Sequence, residues 1–186
     1  MHRPPLRIVL TGGPGSGKTT LLQALASHGH ATMPEAGRDV ILQQQAGGGD
    51  ALPWRNPARF AEAMLGHAVA AFHATDGARG PVFFDRGIGD VLGYLELVGL
   101  RDDAIAHRCR QAAQSRRYHS QVFIAPFWPD IYVNDAERRQ DLAEAEATCA
   151  VMARVWPALG YELVWLPKAP VAERVAFIMA RLGPAR

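Results

Sequence analysis

Residues 8–26, IVLTGGPGSGKTTLLQALA, carry an apolar run into a cluster of glycines, then a lysine and two threonines, then a helical pattern. Gly12-Gly13-Pro14-Gly15-Ser16-Gly17-Lys18-Thr19 fits G-x-x-x-x-G-K-[ST] at every fixed position. Glycines between a buried strand and a helix let the backbone curl so that several N–H groups point at one spot. The helix that follows, from Lys18 to about Ser27, aims its positive end at the same spot. A polyphosphate satisfies such a cradle. Lys18 is expected at the β and γ phosphates, the Thr19 hydroxyl at Mg²⁺ and Thr20 at the α phosphate. A glycine turn with no ligand is the competing reading. The strand before the loop and the helix after it argue against that.

The rest of the chain repeats the alternation. Apolar runs rich in branched and aromatic residues recur at 7–11, 82–85, 122–126 and 162–166, each compatible with a buried parallel strand, and 30–35 is a weaker fifth. Helical stretches lie between them. Residues 58–76 space Phe60, Met64, His67, Ala71 and Phe72 along one face. Residues 136–158 are rich in Ala, Glu and Leu and follow Asn134 and Asp135 as capping residues. Residues 171–182 are amphipathic and stop at Gly183-Pro184. Strands alternating with helices predict a parallel sheet covered on both faces, an α/β three-layer sandwich. Residues 46–57, AGGGDALPWRNP, form the obvious irregular segment, and no composition shift marks a second domain, so one domain over 1–186 is expected.

Composition removes several function classes. The chain has 186 residues, 48% of them apolar, and a formal charge of +2. That charge is too small to argue for nucleic acid or an anionic membrane surface, and no basic stripe with interleaved aromatics is present. The basic stretch at 114–120, QSRRYHS, reads as a solvated helix end. Cys109 and Cys149 lie outside any metal-ligand spacing and read as small core hydrophobes in a reducing compartment. The first residues lack the apolar run of a leader, and no apolar stretch approaches the ~18 residues of a membrane span. A cytoplasmic location is the expectation.

Three further segments carry candidate chemistry. PVFFDRG (81–87) is an apolar strand ending in Asp85 and Arg86, and a carboxylate at that place is the usual partner of a phosphate loop, contacting Mg²⁺ or its water. Ligands of open parallel sheets sit at the carboxyl ends of the strands, so Asp85 is expected to face the same crevice as Lys18. MPEAGRDVI (33–41) sets Glu35 and Arg38 about one helical turn apart. Glu35 reads either as a helix-terminal charge or as a general base or ligand for an accepting group, with Arg38 nearby. FWPDIYVNDAERRQD (127–141) ends in Arg138-Arg139. Arginines on a mobile segment beyond the sheet suit charge stabilisation in phosphoryl transfer, and solvated helix charge is the alternative. Trp54, Trp128 and Tyr132 either stack on a flat ring or pack at a rim. Lys168 follows the last strand, where fold analogy puts a loop against a purine base.

With these residues in place, the sequence resembles the nucleoside and nucleotide kinase-like branch of the phosphate-loop proteins. More narrowly it resembles an AAA-labelled predicted ATPase family related to the nicotinamide riboside kinase domain of the NAD regulator. The likeness runs from Leu6 to about Leu182 and rests on TGGPGSGKTT, PEAGRDV, VFFDRG and IYVNDAERRQD. It implies a five-stranded parallel sheet of order 2-3-1-4-5, Glu35 at the acceptor site and Asp85-Arg86 near the phosphates. It also implies Arg138-Arg139 as lid arginines. The expected activity is an ATP- and Mg²⁺-dependent phosphotransferase, with GTP as the alternative donor, acting on a small hydroxyl- or phosphate-bearing acceptor such as a nucleoside. The substrate-side residues are then Glu35, Arg38, Trp54 and Tyr132, and the metal ligands Thr19 and Asp85. The competing class is a nucleotide-regulated binding protein or slow ATPase/GTPase switch, which needs the phosphate loop and a γ-phosphate sensor but no acceptor pocket.

Overall fold

The computed structural model describes residues 5–101, 104–131 and 141–183. In chain order the elements are β1 (Leu6–Gly12), α1 (Lys18–Ser27), β2 (Ala31–Met33), α2 (Ala36–Gly47), α3 (Pro57–Ala74), β3 (Pro81–Asp85) and α4 (Ile88–Leu97). Then follow α5 (Ala104–Ser115), β4 (Gln121–Ala125), a 3₁₀ turn (Pro129–Ile131), α6 (Leu142–Ala158), β5 (Glu162–Trp165) and α7 (Val171–Leu182). The strands form one sheet in the order β2-β3-β1-β4-β5, and every pairing is parallel. This is the expected three-layer α/β architecture.

Strand periodicity explains the layers. On β1, Ile8 and Leu10 point to one face and pack with Phe83, Phe123 and the apolar stripes of α1 and α7. Val9 points the other way, joining Val82, Phe84, Val122 and Ile124 beneath α3, α5 and α6. A further apolar cluster, from Val40 of α2 to Val155 of α6, fills the space among the helices of that second side. Both cysteines are buried and free, as read from the sequence.

Several expectations need correcting. The long helix begins at Leu142, because Asp141 accepts from the Glu144 backbone N–H at 2.8 Å while the Glu144 side chain accepts from the Asp141 N–H at 3.2 Å. Asn134 and Asp135, the capping residues expected from the sequence, lie outside the described residues. On α3 the buried stripe runs Phe60, Met64, Ala68 and Phe72, with His67 and Ala71 half-buried to one side. The 114–120 stretch is only partly solvated, since Tyr118 is buried against Phe72, Phe84 and Trp156. Helix α4 had no clear sequence signal, because Gly89 and Gly93 depress its helical propensity. Both are needed for close packing: a Cβ at Gly89 would lie 2.8 Å from the Trp156 ring, and one at Gly93 2.5 Å from Met152.

Trp156 therefore joins α6 to α4, Tyr118 and Tyr161, and is only 1% exposed. Trp156→Ala is expected to cost about 3–5 kcal/mol of stability, the usual range for emptying a large aromatic site. Denaturant titration should show an earlier midpoint with an unchanged slope; a midpoint shift below about 1 kcal/mol would mean that the helices collapse into the space.

Candidate active site

The glycine loop wraps around its own lysine. Lys18 is 6% exposed, and its Nζ donates to the Gly13 carbonyl at 2.6 Å and lies 3.2 Å from Ser16 Oγ, while Ser16 Oγ donates to Gly13 at 2.8 Å. Burial, helped by the neighbouring Arg86 charge, lowers the Lys18 pKa to about 8 against the opposing pull of Asp85, Glu35 and Asp90. Thr19 and Thr20 are exposed on the first turn of α1, and that turn holds no acidic residue to cancel the helix's positive end. Gly12 to Thr20 thus run from the end of β1 into the first turn of α1.

The second half of the site is built at the end of β3. Asp85 lies opposite Leu10 in the β1–β3 register, is 7% exposed, and has a buried Oδ1 with no hydrogen-bond partner. Burial pushes its pKa up, with Lys18 opposing. Arg86 follows with φ of 67°, a left-handed conformation that non-glycine residues seldom adopt and that concentrates at functional sites. Its backbone N–H bonds the Leu10 carbonyl at 2.9 Å, which holds the turn. Its guanidinium donates to Glu35 Oε1 at 3.0 Å, to the Gly12 carbonyl at 2.8 Å and to Asp90 Oδ1 at 3.2 Å. Burial alone would lower the Arg86 pKa; Glu35, Asp90 and Asp85 override it and push the value up, so this cation is permanent.

Glu35 occupies the N-cap position of α2 but makes no side-chain capping bond there. Its ion pair with Arg86 replaces the helix-terminal reading with a place in the cluster. Asp90 and Thr11 were not picked out from the sequence. Asp90, in the first turn of α4 and 5% exposed, accepts from Thr11 Oγ1 at 2.5 Å and from the Gly87 N–H at 2.9 Å. Burial raises its pKa while Arg86 and Thr11 oppose. The available signal was an Asp five residues after Asp85, which resembles any first-turn helix acid.

Beside this cluster opens a cavity of about 660 Å³, framed by α2, α3, α4, α6 and the ends of β2 and β3. Phe60, Met64, Phe84, Tyr94 and Tyr118 form its apolar interior, and Pro14 of the glycine loop reaches its edge. Glu35, Asp85, Arg86, Asp90, Glu144 and Thr148 supply the polar groups. Trp54, from the irregular 46–57 segment, lines it while 59% exposed, a rim position. Arg38 is half-buried on α2 and is not among the lining residues. Tyr132, Arg138 and Arg139 lie outside the described residues, so only the ends of the 127–141 segment are seen. There Trp128 Nε1 donates to Asp130 at 3.1 Å, and Asp141 caps α6. Lys168 is exposed on the β5–α7 loop.

Among the described residues no helix is long and apolar enough to cross a membrane, and no three His, Cys, Asp or Glu side chains converge as a metal site. Solved structures resemble the fold over nearly the whole chain. Deoxyadenosine kinase from M. mycoides, with dCMP and dCDP bound, matches at a TM-score of 0.69 and 12% identity, covering 95% of this chain and 98% of that one. NadR in complex with NR matches at 0.75 and 17% identity, covering 96% of this chain but 50% of NadR. NadR with NAD and AMP-PNP matches at 0.68 and 16% identity, covering 94% and 48%. The fold is therefore that of the phosphate-loop kinases. A search of curated proteins finds no matching relative. A family model described as an AAA domain matches residues 7–174, and this chain, with its glycine loop and Asp-Arg strand end, belongs to that family.

Proposed function

We propose that this protein is a small-molecule kinase that transfers the γ-phosphoryl group of ATP, with GTP as the alternative donor, to a hydroxyl of an acceptor held in the cavity. The observation that carries the reading is the placement of that cavity. It meets the glycine loop at Pro14 and is lined by both members of the Glu35–Arg86 pair. A nucleotide switch would need the loop but no enclosed acceptor site of this size. Likeness to deoxyadenosine kinase and NadR supports the same reading.

The chemistry of the lining narrows the acceptor. Among the described lining residues there are four carboxylates, Glu35, Asp85, Asp90 and Glu144, and one cation, Arg86, which Glu35 and Asp90 already engage. An incoming phosphate monoester would meet these carboxylates with no spare cation among the described lining residues, which favours the hydroxyl-bearing class over the phosphate-bearing one. Aromatic walls suit a flat ring, as in a nucleoside. The new bond joins the acceptor oxygen to Pγ, the bond from Pγ to the β,γ-bridging oxygen breaks, and the nucleoside diphosphate leaves. Glu35 takes the hydroxyl proton. Lys18 neutralises phosphate charge, Arg86 holds Glu35 and the Gly12 carbonyl beside it, and Arg138 or Arg139 would add charge on closure of the 127–141 segment.

Asp85 fits a Mg²⁺ role because one buried carboxylate oxygen has no protein partner. Mg²⁺ favours one or two protein oxygens plus phosphates and water, so Thr19 and Asp85 would suffice to hold it. When bound, the ion would supply charge neutralisation for the transferred phosphoryl group.

The deciding experiment follows γ-phosphoryl transfer from ATP to a panel of nucleosides and their monophosphates. Transfer to at least one nucleoside is expected, with none to its monophosphate; a panel-independent slow hydrolysis would favour the switch. Glu35→Gln should lower transfer by ~10²–10⁴-fold while calorimetry shows unchanged ATP affinity. Asp85→Asn should shift the Mg²⁺ dependence of turnover to higher concentration, and an unmoved dependence would make Asp85 structural. Lys18 gives a pH signature. Its free-state pKa near 8 must rise when phosphates arrive, so triphosphate binding should take up a proton at pH 8–9 and weaken as the pH rises through that range. Binding enthalpies in buffers of different ionisation heat measure this. No buffer dependence at pH 8.5 would place the Lys18 ammonium away from the phosphates.

A further inference from the structure

Arg174, on the second turn of α7, is the most deeply buried charge that the site above does not use. It is 2% exposed, forms no ion pair among the described residues, and its buried Nε has no partner. Its one hydrogen bond goes from Nη2 to the Ser16 carbonyl of the glycine loop at 3.2 Å. Burying a guanidinium without a carboxylate is costly, and an apolar residue of the same volume would pack there more cheaply. On α7 its neighbours Val175 and Ile178 are apolar core residues, so the amphipathic pattern gives no reason for a cation at this place.

We infer, resting on the nucleotide-site reading, that Arg174 is a positioning residue for the triphosphate and acts through the Ser16–Gly17 peptide. The carbonyl of Ser16 and the N–H of Gly17 belong to one planar trans unit and point in opposite directions. Fixing the carbonyl on α7 therefore turns the Gly17 N–H away from α7. Gly17 has φ of 78° and is the N-cap of α1, so this N–H stands at the head of the helix whose positive end faces the phosphates. The contact is close: a Cβ on Gly17 would lie 2.9 Å from Arg174 Nη1 and 3.4 Å from Ile131 Cδ1. Position 17 is thus closed to a side chain by its backbone conformation, and a side chain there would have to displace the guanidinium. Arg174 also ties the loop to the start of α7.

The test compares Arg174→Met, which keeps the stem but removes donors and charge, with Arg174→Lys, which keeps charge and a donor. ATP and AMP affinities are measured by calorimetry, with melting temperatures recorded for each protein. The methionine variant is expected to melt no lower than wild type, to lose at least tenfold in ATP affinity and to lose less than threefold for AMP. The lysine variant should recover part of the loss. An ATP affinity within twofold of wild type in both variants overturns the inference, as does an equal loss for ATP and AMP, or a lysine variant no better than methionine. Failure of the wild-type protein itself to bind ATP in the same titration overturns the nucleotide reading, and the inference with it.

Discussion

At the carboxyl end of the sheet the Arg86 guanidinium draws together groups from several elements. It bonds the Gly12 carbonyl at the start of the loop, Glu35 at the end of β2 and Asp90 on α4, while its own backbone is held by Leu10. Three separate elements, β1 at Gly12, the start of α2 at Glu35 and α4 at Asp90, are therefore held by one planar cation whose donors are fixed in direction. The left-handed backbone at Arg86 is a local strain, and the bonds from all sides hold it there. Remove the cation and three carboxylates, Glu35, Asp85 and Asp90, face one another in a buried pocket with Lys18 alone to offset them. The arrangement makes sense as a support that aims neighbouring groups at a shared ligand.

The two halves of the site differ in how they handle charge. On the loop side, Lys18 rests on backbone carbonyls and its pKa has fallen to about 8, so a polyphosphate that replaces those carbonyls restores its full charge. On the cavity side, carboxylates outnumber cations among the described residues, and the interior is aromatic and apolar. A kinase that must keep its donor's phosphates apart from its acceptor's ring gains specificity from that polarity, because a phosphorylated acceptor is disfavoured where the unmodified one is accepted.

Legibility along the chain followed distance along the chain. The glycine loop, β1 and α1 were readable because a phosphate cradle needs consecutive residues, and Asp85-Arg86 because a strand end announces itself by apolar residues stopping at a charge. Glu35 left two readings open, since a carboxylate at a helix start looks the same whether it serves the helix or a partner fifty residues away. Asp90, Thr11 and Arg174 carried no usable signal. An Asp in a first turn and an Arg in an amphipathic helix are ordinarily solvated, and their burial depends on what packs over them. The cap of α6 at Asp141 depends on the reciprocal bond with Glu144, a pairing that the sequence reading did not single out.

The sequence by itself determined the phosphate loop, the alternation of strands and helices, and the strand that delivers a carboxylate and an arginine. These depend on local backbone geometry and on apolar periodicity, both of which are written in neighbouring residues. Only the tertiary structure decided that Glu35, Arg86 and Asp90 form one cluster, that an acidic, aromatic-walled cavity opens beside it, and that Arg174 reaches the loop from the opposite face. The sheet order β2-β3-β1 makes the first possible by setting the end of β2 beside the end of β3, while α1 and α7 pack on the other face of the sheet. Sequence order does not contain that neighbourhood; it arises when parallel strands pair across long helical crossovers and bury both faces of the sheet.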